Sequence, residues 1–243
     1  MAFDEVVMDD KSSIPNKQTK KKLQSKTDAT RLTLIRAGVS VFSRKGYDGA
    51  SNRLLAKKAG VNLALISYHF GGKRGLYFAV IRHVSHKLAV RFAPAIKKLE
   101  SDFSHLDQIG TLKQQRSACL AMIKALLIAN LELLLNRQTA SWAMLVYREQ
   151  QLPSKAFSLL YNESLVAILT ALEKPIAFAT QRSESDPAVK LLALSLLAQV
   201  QLVRSARHML LQHMEWETLS DSEVCLLKKH LSAQVDTLLS LPQ

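Results

Sequence analysis

The sequence predicts an all-α protein, and three observations carry that prediction. From Thr27 almost to the end of the chain, apolar residues recur at helical spacing. No stretch alternates apolar and polar residues as a strand does, and there is no hairpin signal. Residues that start and stop helices (Ser, Asn, Asp-Pro, Gly) fall between the periodic segments rather than inside them.

Taken in order, residues 1–26 end in "NKQTKKKLQSK" and read as a disordered basic arm. A first helix begins at Thr27, with Leu34, Ile35, Gly38, Val41 and Phe42 on one face, and Gly46 ends it. Ser51 caps a short helix that runs to Ala59 and breaks at Gly60. Asn62 caps another, which ends at Phe70 before Gly71-Gly72. Lys73 opens a long helix with Leu76, Val80, Ile81, Val84 and Leu88 along one face, which Pro94 should end or kink. Helices follow over about 109–135 and 138–150. Pro153 is expected in the first turn of the next, to about 180. Asp186-Pro187 starts a helix to about 214, and the capping box Ser220-x-x-Glu223 starts the last, to about 240.

Charge is unevenly spread. The net charge is +13 over 243 residues, and residues 11–75 alone hold fifteen Lys/Arg against Asp28 and Asp48. A basic region of this density attracts a polyanion, either nucleic acid or an anionic membrane surface. Cys119 and Cys225 match no metal or redox spacing and read as small buried thiols. The acidic "MAFDEVVMDD" is no signal peptide, so a cytoplasmic location is expected. "LLIANLELLL" and "LLALSLLAQVQLV" are interrupted by Asn130, Glu132, Gln199 and Gln201, short of the roughly 20 apolar residues of a membrane span.

Two short helices meeting at a turn with Gly60, after a longer first helix, have the pattern of a helix-turn-helix. Val61, Ile66 and Phe70 form the inner face of the second, and Asn62, Leu63, Ala64, Leu65, Ser67, Tyr68 and His69 its outer and end surfaces. Tyr68 and His69 can each donate to a phosphate oxygen, and Lys73 stands at a helix N-terminus, where anions bind. The cluster is either a phosphate clamp behind a groove-reading helix or ordinary packing beside a solvated lysine. "GGKRG" lacks the spacing of a nucleotide loop.

Residues 30–77, "TRLTLIRAGVSVFSRKGYDGASNRLLAKKAGVNLALISYHFGGKRGLY", closely resemble the DNA-binding domain of TetR-type transcriptional regulators. The shared features are Phe42 before Lys45-Gly46-Tyr47, the Ser51 cap, Ala56, Ala59-Gly60-Val61, and Tyr68-His69-Phe70 followed by Gly71-Gly72-Lys73. "GVNLALISYHFGGK" and, more loosely, "LVYREQQLPSKAFSLLYNESL" look most like the CecR branch. The resemblance implies about nine helices, with a DNA head at 27–75 and a ligand-binding and dimerising body at 76–243. It implies a homodimer through the last two helices, a double-stranded operator, commonly palindromic, and a small-molecule effector, with repression the family's commoner habit. The expected DNA-contacting residues are Ser51, Arg53, Asn62, Leu63, Ala64, Leu65, Ser67, Tyr68, His69 and Lys73.

Leu63-Ala64-Leu65 departs from the family by placing three apolar residues on the groove-facing turn. They can touch thymine methyl groups but cannot hydrogen-bond base edges. The Lys20-Lys21-Lys22 arm either adds salt-dependent phosphate affinity or serves as a solubilising tail. Trp142, Tyr147, Arg148 and Glu149 either line a ligand pocket or belong to core packing with a surface ion pair, and Arg204, Arg207 and His208 either meet an anionic ligand or lie on a solvated or dimer stripe. His83 and His86 are spaced for a metal, but nothing nearby completes a site. There is no nucleophile motif, paired-carboxylate constellation or cofactor loop, so neither an enzyme nor a cofactor is expected. The alternatives to an operator-binding regulator are a non-specific DNA binder, a helical enzyme or chaperone-like interaction protein that is basic by accident, and a membrane-surface protein, and the last two do not account for the helix-turn-helix spacing.

Overall fold

A computed structural model describes residues 17–240, with side chains from 26 to 239, and every regular element among them is helical. The head is α1 (Lys17–Lys45), α2 (Asn52–Ala59) and α3 (Ala64–Phe70). The body is α4 (Lys73–Ser104), α5 (Leu112–Leu135), α6 (Ala140–Gln151), α7 (Phe157–Leu160), α8 (Val166–Thr180), α9 (Pro187–Ser205), α10 (Arg207–His213) and α11 (Asp221–Ser240). A π turn, Tyr161–Leu165, joins α7 to α8, and only Ala206 separates α9 from α10. With each of those pairs counted as one helix, the architecture is the expected one of about nine.

The head forms where its caps lie. The Ser51 hydroxyl accepts from the Leu54 N–H at 3.1 Å, and the Asn62 Oδ1 accepts from the Ala64 N–H at 2.9 Å. Gly60 and Gly71 close α2 and α3 at φ 68°, a left-handed conformation open to glycine at no steric cost. A seven-residue helix such as α3 is marginal in isolation. Ile66, fully buried, holds it against the head core of Leu34, Phe42, Leu55 and Leu76, and such burial contributes about 1.5–3 kcal/mol.

α4 carries that core into the body, so one apolar cluster reaches from Leu34 to Leu239. α5 lies at the centre of the body, packed on α4, α8, α9 and α11. α5 and α9 are long and apolar enough to cross a membrane by composition alone, but here they pack against each other. Their polar interruptions have uses: Glu132 pairs with Lys228 of α11 at 2.6 Å, and Asn130 and Gln201 line a cavity.

Several expectations need correction. α1 begins at Lys17, so residues 17–26, expected to be disordered, are helical; their lysines and glutamines are good helix formers with no breaker among them. Residues 1–16 lie outside the described residues. Pro94 does not end α4, because it and Val90, whose carbonyl it leaves free, are both exposed. Pro153 lies in the loop before α7 rather than in a first helical turn. α9 stops at Ser205 rather than near 214. Cys225 is exposed, not buried, beside Leu226 on the outer face of α11, whereas Cys119 is buried and its thiol is pushed up to about 11 by desolvation.

Candidate nucleic-acid interface and body cavity

α3 turns one side to the core and leaves the other open. Tyr68 is 76 % exposed and Leu63 50 %, and Asn62, Ala64 and Ser67 are exposed beside them. The His69 ring meets that of Tyr68 edge-on, with centroids 4.9 Å apart. Arg53 is exposed on the first turn of α2, and Ser51 is used as its cap. Leu65 does not join this surface: it is half-buried and packs against the core with Val61 and Phe70. A seven-residue helix whose inner face must seal the head cannot leave three consecutive apolar side chains outside, so the open apolar patch is Leu63 and Ala64.

Lys73 is more structural than its sequence context suggests. Its Nζ donates to the Tyr47 carbonyl at 3.0 Å and lies 4.3 Å from the centre of the Tyr47 ring. That ring packs edge-on with Tyr77, and Tyr77 with Phe42. Lys73 therefore fastens the α1–α2 loop to the start of α4, with two N–H donors left for an anion. Around it the exposed Arg31, Arg44, Lys45, Lys57, Lys58 and Arg74 give the head a dense positive surface.

α6 joins head to body. Arg148 donates through Nε to Ser43 O at 3.1 Å and through Nη2 to Arg44 O at 3.2 Å, capping the C-terminal carbonyls of α1. Glu149 is only 2 % exposed. It accepts from the Tyr77 hydroxyl in a short hydrogen bond, and from the Ser154 N–H at 3.1 Å. Burial first, and then the Glu149 carboxylate, hold the Tyr77 hydroxyl well above the ordinary tyrosine value. The sequence marked Arg148 as a possible ligand contact, and its observed role is this joint. Glu149 was marked with it as a pocket or surface ion-pair residue, and its burial against Tyr77, which the sequence did not single out, was missed: a Glu on an amphipathic helix carries no sign of burial until its partners are in place.

Inside the body lies an apolar cavity of about 430 Å³. Phe92, Leu134, Leu165, Ile168 and Leu197 form much of its wall. Tyr147 and Arg204 line it, and Trp142 does not, being half-buried against the core. The π turn supplies Tyr161 and Leu165, and such turns occur frequently at functional sites. Met144 and Tyr147 of α6 also border a second hollow beside Gly46, Tyr77 and Arg148. One helix is thus a wall of the cavity and a strut of the head.

Among the described residues no group of three metal-ligating side chains gathers. His83 is held below the ordinary histidine value by burial and by the neighbouring Lys87, Arg36 and His86, surroundings that repel a cation.

Comparison with known proteins agrees with this geometry. Residues 34–80 match the family described as bacterial regulatory proteins, tetR family. Residues 120–240 match the C-terminal domain of the HTH-type transcriptional dual regulator CecR. The CecR protein of Shigella flexneri is 24 % identical over 88 % of this chain and 93 % of its own length. A TetR-like transcriptional regulator from Rhodococcus superposes with a TM-score of 0.60 at 16 % identity, covering 88 % of this chain and 97 % of its own. AibR, solved with isovaleryl coenzyme A and operator DNA, superposes at 0.57 with 13 % identity, covering 86 % and 97 %.

Proposed function

Because the chain belongs to the TetR family of DNA-binding transcriptional regulators, we propose that it acts as a homodimeric repressor of a palindromic operator in the cytoplasm, released by a small molecule bound in the body. The observation that carries this reading is the double use of α6: Tyr147 faces the cavity and the next residue, Arg148, holds the end of α1. A ligand that binds better with α6 displaced shifts the heads out of register with the DNA, and affinity falls by that difference.

Dimerisation is supported by the apolar face that α9, α10 and α11 leave uncovered. Leu191, Leu202, Met209 and Leu226 are each more than two-fifths exposed there, and a second copy would cover them. It would place two α3 helices in successive major grooves, about 34–36 Å apart or a multiple of that. Leu63, Ala64 and Tyr68 then face the groove floor and its edge, while Ser67, His69, Arg53 and Lys73 meet phosphates. AibR, with its acyl-CoA and its operator, is the neighbour whose contents parallel this reading.

The test is selection of bound duplexes from a random library by the purified full chain, followed by a salt titration on the best site. A palindrome with half-sites one helical turn or a multiple apart supports the proposal. Enrichment of nothing, with salt-sensitive binding to any duplex, would favour a non-specific binder whose Leu63-Ala64 patch reads no bases.

A further inference from the structure

The cavity wall changes character along α9. Leu194, Leu197 and Ala198 face the cavity from the earlier turns, and Gln201, Arg204 and Ser205 from the last ones. Leu194 and Arg204 are about 15 Å apart along the helix axis at 1.5 Å per residue. From other elements Phe92, Leu165 and Ile168 add apolar wall, and Asn130, Tyr147, Gln150 and Tyr161 add uncharged polar groups.

Arg204 is an unusual resident of such a wall. It is half-buried, and no carboxylate pairs with it among the described residues. The neighbouring charge that acts on it is that of Arg207, also half-buried and also cationic. Burial, and then Arg207, lower its pKa, and an arginine guanidinium keeps its charge in a protein. A half-buried charge without a counter-ion is costly, and a planar guanidinium binds a carboxylate through two parallel hydrogen bonds.

We propose that the cavity takes an apolar organic acid whose carboxylate is held by Arg204, flanked by Gln201 and Ser205, while its apolar body lies against Phe92, Leu165 and Leu197. The volume lies within the about 300–1,000 Å³ of small-molecule sites. The inference rests on the ligand-responsive reading above and names the chemical class of the ligand. Neutral apolar molecules would fill the same walls but leave Arg204 uncompensated, and cations would be repelled by both arginines.

The experiment is calorimetric titration of the full chain with decanoate and 4-phenylbutyrate, each against its primary amide. The acids should bind at least about tenfold more tightly than the amides, the worth of one charge-assisted contact. Arg204→Gln should remove that preference while leaving amide binding in place, and Arg204→Lys should keep part of it. Circular dichroism of each variant shows that the fold is retained, and Arg204→Met is a second variant should Arg204→Gln fail to fold. Equal affinity for acid and amide, a preference that survives Arg204→Gln, or binding of neither acid would overturn the proposal. DNA binding, followed separately by fluorescence anisotropy, distinguishes the two readings. Acids that bind through Arg204 without weakening DNA binding would leave the site standing and sink ligand-controlled repression. A neutral compound that releases DNA, with no acid bound, would do the reverse.

Discussion

Arg148 Nε lies 3.1 Å from the carbonyl oxygen of Ser43, across the boundary between the body and the DNA-binding head. Few contacts so local can carry so much. The carbonyls at the end of α1 have no partner within their own helix, and the guanidinium that satisfies them stands on the helix that walls the cavity. Arg148→Met should cost about 1–3 kcal/mol of stability. It should also uncouple the two sites: whatever effector weakens DNA binding of the parent protein should weaken that of the variant several-fold less. Thermal melts and DNA titrations with and without effector check both, and an unchanged melt with a full response would remove Arg148 from the mechanism.

Glu149 and Tyr77 form the buried half of the same joint. Tyr77→Phe deletes one donor and leaves Glu149 its Ser154 partners, so a loss near 1 kcal/mol is expected. Glu149→Leu leaves both the Tyr77 hydroxyl and the Ser154 N–H without an acceptor, and should cost about 3 kcal/mol. The pH dependence has a definite sign. Tyr77 keeps its proton more firmly folded than unfolded, so its contribution is whole below its ordinary value of 10.0 and is lost as pH rises beyond it. Denaturant midpoints above pH 10 should fall less steeply for Tyr77→Phe than for the parent.

Tyr68 and Lys73 should separate DNA contact from architecture. Tyr68→Ala removes an exposed ring and hydroxyl. It should lower operator affinity roughly tenfold with stability unchanged within about 0.5 kcal/mol. Lys73→Met also breaks the bond to the Tyr47 carbonyl and the contact with its ring, so a stability loss of about 1 kcal/mol should accompany its weaker DNA binding. A Lys73 variant that binds poorly but melts normally would contradict the structural role.

Gly38 marks the crossing of α1 and α4. A Cβ there would stand 2.5 Å from the Val80 Cγ2, and Val80 is fully buried. Gly38→Ala should destabilise by about 1–3 kcal/mol through overpacking, and Val80→Ala by a similar amount through the void it leaves. The double variant should be more stable than the two losses added together, because the new methyl occupies part of the space vacated. Simple additivity in the melts would mean that the helices separate instead.

The head was legible almost residue by residue because its limits are set locally. Ser51, Gly60, Asn62 and Gly71 act on the backbone within one turn, so their types and spacing suffice. Leu65 was misplaced because periodicity over a seven-residue helix leaves its inner edge undefined. In the body, helix-length apolar runs gave the elements, but their breaks depend on tertiary packing: the π turn at Tyr161–Leu165 and the stop at Ser205 carry no local signal. The cavity could not be read for the same reason. Tyr147 and Arg204 were singled out by chemistry, Trp142 equally so, and only the packing of α4 to α9 decides which side chains face the same space. Asn130 and Gln201, noticed only as interruptions of apolar runs, turned out to be part of its lining.

α4 is a single 32-residue helix, about 48 Å long, and its first turns belong to the head while the rest belongs to the body. A cut after residue 75, where the sequence suggests a domain boundary, would strip Leu76, Tyr77 and Val80 from the core they complete. The head is therefore not a portable cassette. A chimera that exchanges operator preference between relatives needs its crossover beyond Val84, and the recipient body must carry an arginine and a glutamate where Arg148 and Glu149 stand. A head joined to a body without that pair would leave the last carbonyls of α1 and the Tyr77 hydroxyl without the partners they have here.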